Sequence, residues 1–191
     1  LKDFKAQIEV NLIGAFIATQ AFLPQLGADL TLKGKPGRVV NISSMGGKIG
    51  SPFLGGYCAA KHGLEGFSES LRRELMIYGI DVLVIGPGAV ATPIWDKAEA
   101  QDLSMYAATD YESILEKWAK GFYEDGRKGL SVERLGQEIH RALTEPSPSA
   151  RRGVAPSWFF DWFLPSRLPV RWVDSAFRGR LGMKLLKRKS A

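Results

Sequence analysis

The stretch Ile80–Ile85 reads IDVLVI and is nearly continuously apolar. This run constrains the fold more than any other. A strand with one wet face alternates apolar and polar residues, whereas a strand in a parallel sheet is covered on both faces and carries apolar residues throughout. A second short β-type run, RVVNIS, spans 38–43. Between the two, residues 55–78 carry a helical period: Tyr57, Lys61, Leu64, Ser68, Leu71 and Leu75 share one face, with Phe67 beside it. Strand, long helix and strand make a βαβ unit, whose crossover is expected to be right-handed.

The flanking chain fits the same architecture. Residues 4–26 read as a helix with Asp3 as N-cap; Phe4, Ile8, Leu12, Ala15, Thr19, Phe22 and Leu26 mark its inward stripe. Asn11 falls on that stripe, and a buried amide needs hydrogen-bond partners. Two further helices are expected at 111–124 and 132–144, the first opened by a Thr109-x-x-Glu112 capping box and the second capped by Ser131. Residues 27–37 and 144–150 read as polar connectors, and Arg152–Pro156 as a last short strand.

Composition closes several routes. Of 191 residues, 45% are hydrophobic and 24% charged, which excludes a largely disordered chain. Cys58 is the only cysteine, so no internal disulfide forms; with His62 and His140 as the only histidines, a metal site is not expected. No apolar run is long enough to span a membrane. The opening LKDFKAQIEV lacks the apolar core of a signal peptide, so a reducing, cytoplasmic setting is expected.

The net charge of +6 is unevenly placed. Residues 151–191 hold ten Lys/Arg and two Asp/Glu, whereas residues 1–150 hold sixteen and eighteen. A nucleic-acid reader carries its basic stripe on the folded body, so nucleic acid is not an expected partner. The basic tail also holds Trp158, Phe159, Phe160, Trp162, Phe163, Trp172 and Phe177. Two readings stand: a segment in peripheral contact with a membrane through 157–191, or a cap that packs its aromatics on its own body. Prolines at 156, 165 and 169 break any long amphipathic helix and favour the second.

In open α/β sheets, ligands bind beyond the carboxyl ends of the strands. Ser44 follows the first strand and Pro87-Gly88 ends the second. The start of the 55–78 helix lies at the same rim, and Tyr57 and Lys61, four apart, share one helical face. A phenol titrates near ~10, too high for a general base at neutral pH. A nearby ammonium favours the phenolate, so Lys61 is expected to lower Tyr57. The phenol can then exchange a proton with an alcohol or carbonyl oxygen, which Ser44 can hold by a hydrogen bond. Ser43 is expected to bond locally.

These residues resemble the classical short-chain dehydrogenase/reductase family. The matching pieces stand in order: Val10-Asn11-Leu12 with Gly14, Asn41-Ile42-Ser43-Ser44, Tyr57-Cys58-Ala59-Ala60-Lys61, and Pro87-Gly88-Ala89-Val90-Ala91-Thr92. Tyr-x-x-x-Lys alone is a weak signal; the serine before it and the Pro-Gly-x-x-x-Thr after it make the combination specific. The resemblance implies an α/β Rossmann-type doubly wound parallel sheet and an enzyme using NAD or NADP. It implies that Tyr57 is the acid/base, that Lys61 tunes it and holds the nicotinamide ribose, and that Ser44 orients the carbonyl. It further implies that Asn11 anchors a water in a proton relay, and that Pro87, Gly88, Val90 and Thr92 line the nicotinamide. Thr92 as merely the N-cap of the next helix stays open.

The family's glycine-rich Thr-Gly-x-x-x-Gly-x-Gly turn has no counterpart here. The chain therefore reads as the C-terminal portion of such a domain, with the first βαβαβ half absent; at about 30 residues or more per βαβ unit, ~60 or more are expected before Leu1. The first strand should then be an exposed edge, and the segment alone should bind dinucleotide poorly. Residues 1–150 read as the partial catalytic domain and 151–191 as a C-terminal extension. The resemblance makes 93–130 a substrate lid. Its apolar residues (Ile94, Trp95, Met105, Tyr106, Ile114, Leu115, Trp118 and Phe122) are expected to face inward, suggesting a bulky apolar alcohol or ketone as substrate. The alternative is a non-catalytic dinucleotide-binding or scaffold relative. Assembly into a homo-oligomer through the 4–26 and 55–78 helices is the family's habit.

Overall fold

The computed structural model of the chain describes residues 1–157, 159 and 163–186. It is an α/β structure built on three parallel strands: β1 (Arg38–Ile42), β2 (Asp81–Pro87) and β3 (Arg151–Val154), in the order β1-β2-β3. Arg38 pairs with Asp81 and Ile42 with Ile85; Val84 pairs with Arg151 and Pro87 with Val154. β2 lies in the centre and is buried from Val82 to Pro87, as its unbroken apolar run requires. β1 is the sheet edge among the described residues, and Ile42 at its end is exposed.

Successive residues of β2 enter two different cores. Val82 packs with Val39, Leu71, Leu75 and Ile80, and Leu23, Leu26 and Phe67 cover them. Leu83 and Ile85 pack on the other face with Leu130, Ala142 and Val154, beside Leu135 and Ile139. Each fully buried aliphatic side chain contributes about 1.5–3 kcal/mol, and covering both faces is what makes the parallel sheet stable.

The helices supply those covers. The first helical run is α1 (Lys2–Ile8) and α2 (Gly14–Phe22), joined by a π-turn over Glu9–Ile13 and followed by another over Pro24–Ala28. The expected single regular helix is thus interrupted twice. Asp3 is not its cap: Leu1 precedes α1, and Asp3 sits in the first turn, where its charge suits the helix dipole. Half-buried Ile8, Leu12 and Ala15 and buried Thr19 keep the expected inward stripe, but Phe4 and Phe22 at its ends are exposed; each π-turn rotates the following turns out of register. Gly27, at φ 118°, ends the run.

Next comes α3 (Gly55–Glu74), which tightens into a 3-10 turn over Leu75–Tyr78 and stops at left-handed Gly79. It packs against the first helical run: a Cβ on Gly63 would stand 2.8 Å from Leu12 Cδ2.

A short helix, α4 (Ile94–Glu99), follows the loop after β2. It follows Pro93 rather than Thr92, so Thr92 is not its N-cap. α5 (Glu112–Arg127) begins without the expected capping box. Glu112 accepts from Ala108 N–H instead of Thr109 N–H, and the Thr109 hydroxyl donates to Tyr106 O. In α6 (Val132–Thr144), Ser131 does cap, accepting from Arg134 N–H at 3.2 Å. α7 (Leu164–Arg167) and α8 (Val170–Leu181) follow β3, and left-handed Gly182 ends α8. Trp158, Phe160 and Trp162 of the expected aromatic tail lie outside the described residues. None of the described helices is long and apolar enough to cross a membrane.

Candidate active site

The carboxyl ends of β1 and β2 meet at one rim, with the start of α3 above it. Ser44 follows β1 in extended conformation and accepts a hydrogen bond from Gly46 N–H at 3.0 Å. That bond tightens Met45–Gly47 into a 3-10 turn directly against α3. A Cβ on Gly46 would stand 3.1 Å from Tyr57 Cε1 and 3.5 Å from Ser44 Oγ. Ser44 and Tyr57 are therefore brought together because position 46 carries no side chain.

Lys61 lies one turn beyond Tyr57. Its Nζ is 5.8 Å from the Tyr57 ring centroid and donates to Ile42 O at 3.0 Å, at the very end of β1. The expected lowering of the phenol is not found. Burial pushes Tyr57 above its ordinary value, and the Ser44 hydroxyl only partly opposes this. The same burial pulls Lys61 below the usual lysine range. Partial burial disfavours the charged form of each group, and the Lys61 ammonium directs its hydrogen bond to a carbonyl rather than to the phenol.

Asn11 lies in the π-turn between α1 and α2, half-buried, and donates to Gln7 Oε1 at 2.9 Å. Gln7 reaches the start of α3, its Cγ lying 3.6 Å from a Cβ built on Gly56. Asn11 is thus one side chain removed from the residue before Tyr57. Turns of the π type leave a helix wider and recur at functional sites.

The loop after β2 is held from three sides. Gly88 N–H donates to Val154 O, Leu130 N–H to Ala89 O, and Ala91 N–H to Leu130 O, each at 2.8 Å. The Trp95 indole donates to Val90 O at 2.6 Å. Pro87 is buried in the sheet, and Gly88, Val90 and Thr92 are half-buried along the loop. Bare Gly88 faces Met45: a Cβ there would stand 3.0 Å from its sulfur.

A cavity of about 710 Å³ opens beside this rim. Met45, Gly46 and Cys58 form its floor, and Phe122, Trp172 and Phe177 are among the residues of its walls. Phe122 is backed by further rings outside the lining: Trp118 stacks on it at 4.6 Å, and Trp95 meets it edge-on at 5.1 Å. Leu115 is buried there, but Ile94, Met105 and Tyr106 are exposed rather than inward-facing. They lie on α4 and a 3-10 turn whose geometry the helical period of α5 does not extend to.

The sequence profile of the family described as short chain dehydrogenase matches residues 1–103. The chain belongs to the short-chain dehydrogenase family. It is 36% identical over 177 residues to the NADPH-dependent 3-dehydrocapnine reductase of Ornithobacterium rhinotracheale, covering 93% of this chain and 62% of that protein. It is 34% identical over 189 residues to retinol dehydrogenase 16 of Mus musculus, covering 91% and 56%. The chain thus spans about 60% of the length of these relatives. The crystal structure of a short-chain dehydrogenase from Streptomyces avermitilis superposes with a TM-score of 0.63 at 23% identity, over 95% of this chain and 60% of that one. That likeness confirms the fold.

The chain also contains polar contacts that its sequence pattern does not announce. Glu65 is buried on α3, one turn past Lys61, and receives a bidentate pair of bonds from Arg151 on β3 at 2.6 and 2.8 Å. Lys48 approaches it at 3.6 Å. Asn41 Nδ2 donates to Ser68 Oγ at 2.8 Å, and Ser68 donates to Leu64 O at 2.6 Å, all buried. The placement of Glu65 beside the Tyr57–Lys61–Leu64 stripe was the one available signal. The Ser43 hydroxyl, expected to bond locally, is buried without a partner among the described residues, while its N–H donates to Ile85 O at 2.7 Å. Crowding explains this: a Cβ on Gly47 would lie 2.5 Å from Ser43 Oγ, so the turn packs on that oxygen without offering a polar group.

Proposed function

We propose that this chain carries the catalytic half of an NAD- or NADP-dependent oxidoreductase that interconverts a bulky, apolar secondary alcohol and its carbonyl. The observation that carries the reading is the convergence of Ser44, Tyr57 and Lys61 at the rim of the parallel sheet, beside an apolar cavity. Family membership supports it, as do relatives named as a reductase and as retinol dehydrogenases.

Nicotinamide dinucleotide, when bound, supplies or accepts the hydride. The residues present fit it. Gly88 carries no side chain at the end of β2, and Lys61 uses one of its three N–H donors on Ile42 O, leaving two for ribose hydroxyls. The fixed loop Gly88–Thr92 would hold the nicotinamide side. Within the chain, Ser44 holds the substrate oxygen through its hydroxyl. The Tyr57 phenol, kept neutral by burial, donates a proton to that oxygen during reduction and recovers it during oxidation. Asn11, in the widened turn behind α3, is positioned to hold a water on the path by which Tyr57 regains its proton. The apolar walls exclude water from the transferring centre. Exposed Val10, Ile17 and Phe22 on the first helical run support assembly of two copies through this face.

The test is Tyr57→Phe in a protein that carries this chain behind a complete dinucleotide-binding half. Turnover should fall about a thousandfold or more, with cofactor-induced thermal stabilisation retained. Normal turnover in the variant would overturn the assignment of Tyr57. Stabilisation by cofactor with no turnover in the parent protein, across a broad carbonyl panel, would favour a binding-only relative.

A further inference from the structure

The arginines of the body and those of the C-terminal helix are used differently. On the body, Arg38, Arg73, Arg127, Arg141, Arg151 and Arg152 meet carboxylates, and only Arg72 and Arg134 meet none among the described residues. Along the C-terminal segment, Arg167, Arg171, Arg178 and Lys184 meet none among the described residues, and only Arg180 does, pairing with Asp125 at 2.5 Å. Asp174 is the one acidic residue from 163 to 186.

Large apolar side chains stand among these cations in open solvent. Val170 is 74% exposed, Trp172 66%, Leu185 84% and Leu186 69%. α8 turns Val173 and Phe177 toward the body and buries Leu181, leaving Val170, Arg171 and Arg178 outside. The mouth of the cavity opens at this place: Leu168, Trp172, Val173 and Ala176 all line it.

We infer that α8 and residues 183–186 after it form a docking face for an anionic lipid bilayer, with the cavity mouth held at the membrane surface. Charge complementarity argues for this occupant. Cations without carboxylate partners, interleaved with exposed aromatic and aliphatic side chains, match a surface of anionic headgroups over hydrocarbon; an acidic protein would match the cations but leave four large apolar groups without a counterpart. Val170, Trp172, Leu185 and Leu186 enter the headgroup boundary, and Arg171, Arg178 and Lys184 meet lipid phosphates. The docking itself stands on this surface alone. Its use, delivery of an apolar substrate from the bilayer into the cavity, rests on the oxidoreductase reading above.

The experiment is co-sedimentation of the full chain with vesicles of phosphatidylcholine alone or mixed with phosphatidylglycerol, at low and high salt. The expected result is binding to the mixed vesicles that salt weakens, with little binding to phosphatidylcholine alone. Arg171→Gln with Lys184→Gln, two exposed residues whose side chains meet no carboxylate among the described residues, should lower partitioning about tenfold, because each cation near an anionic surface contributes about a fivefold factor. Val170→Ser with Leu185→Ser and Leu186→Ser should lower it by a similar factor at any salt. Both sets lie outside the cavity, so turnover of a water-soluble carbonyl should be unchanged in the enzyme carrying them. Absence of binding to the mixed vesicles, equal binding to both vesicle types, or binding that both variant sets leave intact would overturn the docking face. Vesicle binding without any carbonyl turnover would leave the face standing and overturn only the delivery role.

Discussion

The floor and the roof of the cavity are built on different principles. The floor, from Asn41 to Lys61 with the loop after β2, is held by buried polar bonds and by glycines at contact distance. Glu65 grips Arg151 across 86 residues of sequence, Asn41 grips Ser68, and Gly46, Gly47 and Gly88 admit neighbours that any side chain would displace. The roof, α4, α5 and α8, is held by aromatic contacts and by ion pairs in solvent, such as Arg127 with Asp96 and Arg180 with Asp125. The lesson is a division of labour. Directional buried bonds fix the rim groups, whereas aromatic contacts and solvent-exposed ion pairs hold the helical cover.

The comparison breaks most visibly at Glu65. Glu65→Ala removes the buried carboxylate that takes two hydrogen bonds from Arg151 and lies against the Met45–Gly47 turn. Loss of one partner of such a pair costs about 3–5 kcal/mol, and the variant should show a lower urea midpoint with little change in slope. An unchanged midpoint would mean that the floor does not depend on this bond. Gly47→Ala is the next largest. Its new Cβ must displace Ser43 Oγ, at a cost of about 1–3 kcal/mol typical of overpacking, and carbonyl turnover should fall with it because Ser44 moves. Phe122→Ala sharpens the contrast from the other side: it should raise KM for a bulky ketone about tenfold while leaving kcat near its parent value, since no reacting group is touched. An equal fall in kcat would show that the roof positions the chemistry too. Arg180→Ala removes an exposed ion pair, and its effect on stability should be under about 1 kcal/mol.

Tyr57 gives a further check on the floor. Its raised value in the structure means that the folded state binds this proton more tightly than the unfolded state. The associated stability is complete below the ordinary tyrosine value and is lost as pH climbs past it through the folded value. In cofactor-free protein, tyrosinate absorbance should show Tyr57 and Tyr123 ionising later than the exposed tyrosines, and one of these two late steps should be absent in Tyr57→Phe. An early-ionising Tyr57 would restore the expectation that Lys61 lowers it.

The elements that sequence made legible are those with a repeating period. IDVLVI and the 55–78 stripe are local patterns, and the sheet and α3 follow from them. The rim residues were legible for a related reason: Ser44, Tyr57 and Lys61 lie at element ends that the βαβ connection forces together. What failed to show is set by distant or irregular geometry. No period announces a π-turn at Glu9–Ile13, and nothing in the spacing of Glu65 and Arg151 signals their pairing. Met105 and Tyr106 look like core by composition, yet the turn that carries them faces water. The direction of the Tyr57 shift was misjudged because charge proximity is readable from a four-residue spacing, whereas burial is a property of the whole fold.

The Trp95 indole sits at the start of α4 and bonds the Val90 carbonyl, while its ring fills the space that Gly126 leaves open on α5. One side chain thereby pins the helical cover to the strand end beneath it. Swinging α4 outward requires breaking that bond and withdrawing the ring from α5 at the same time, so the cover and the loop after β2 shift as a single mechanical unit rather than independently.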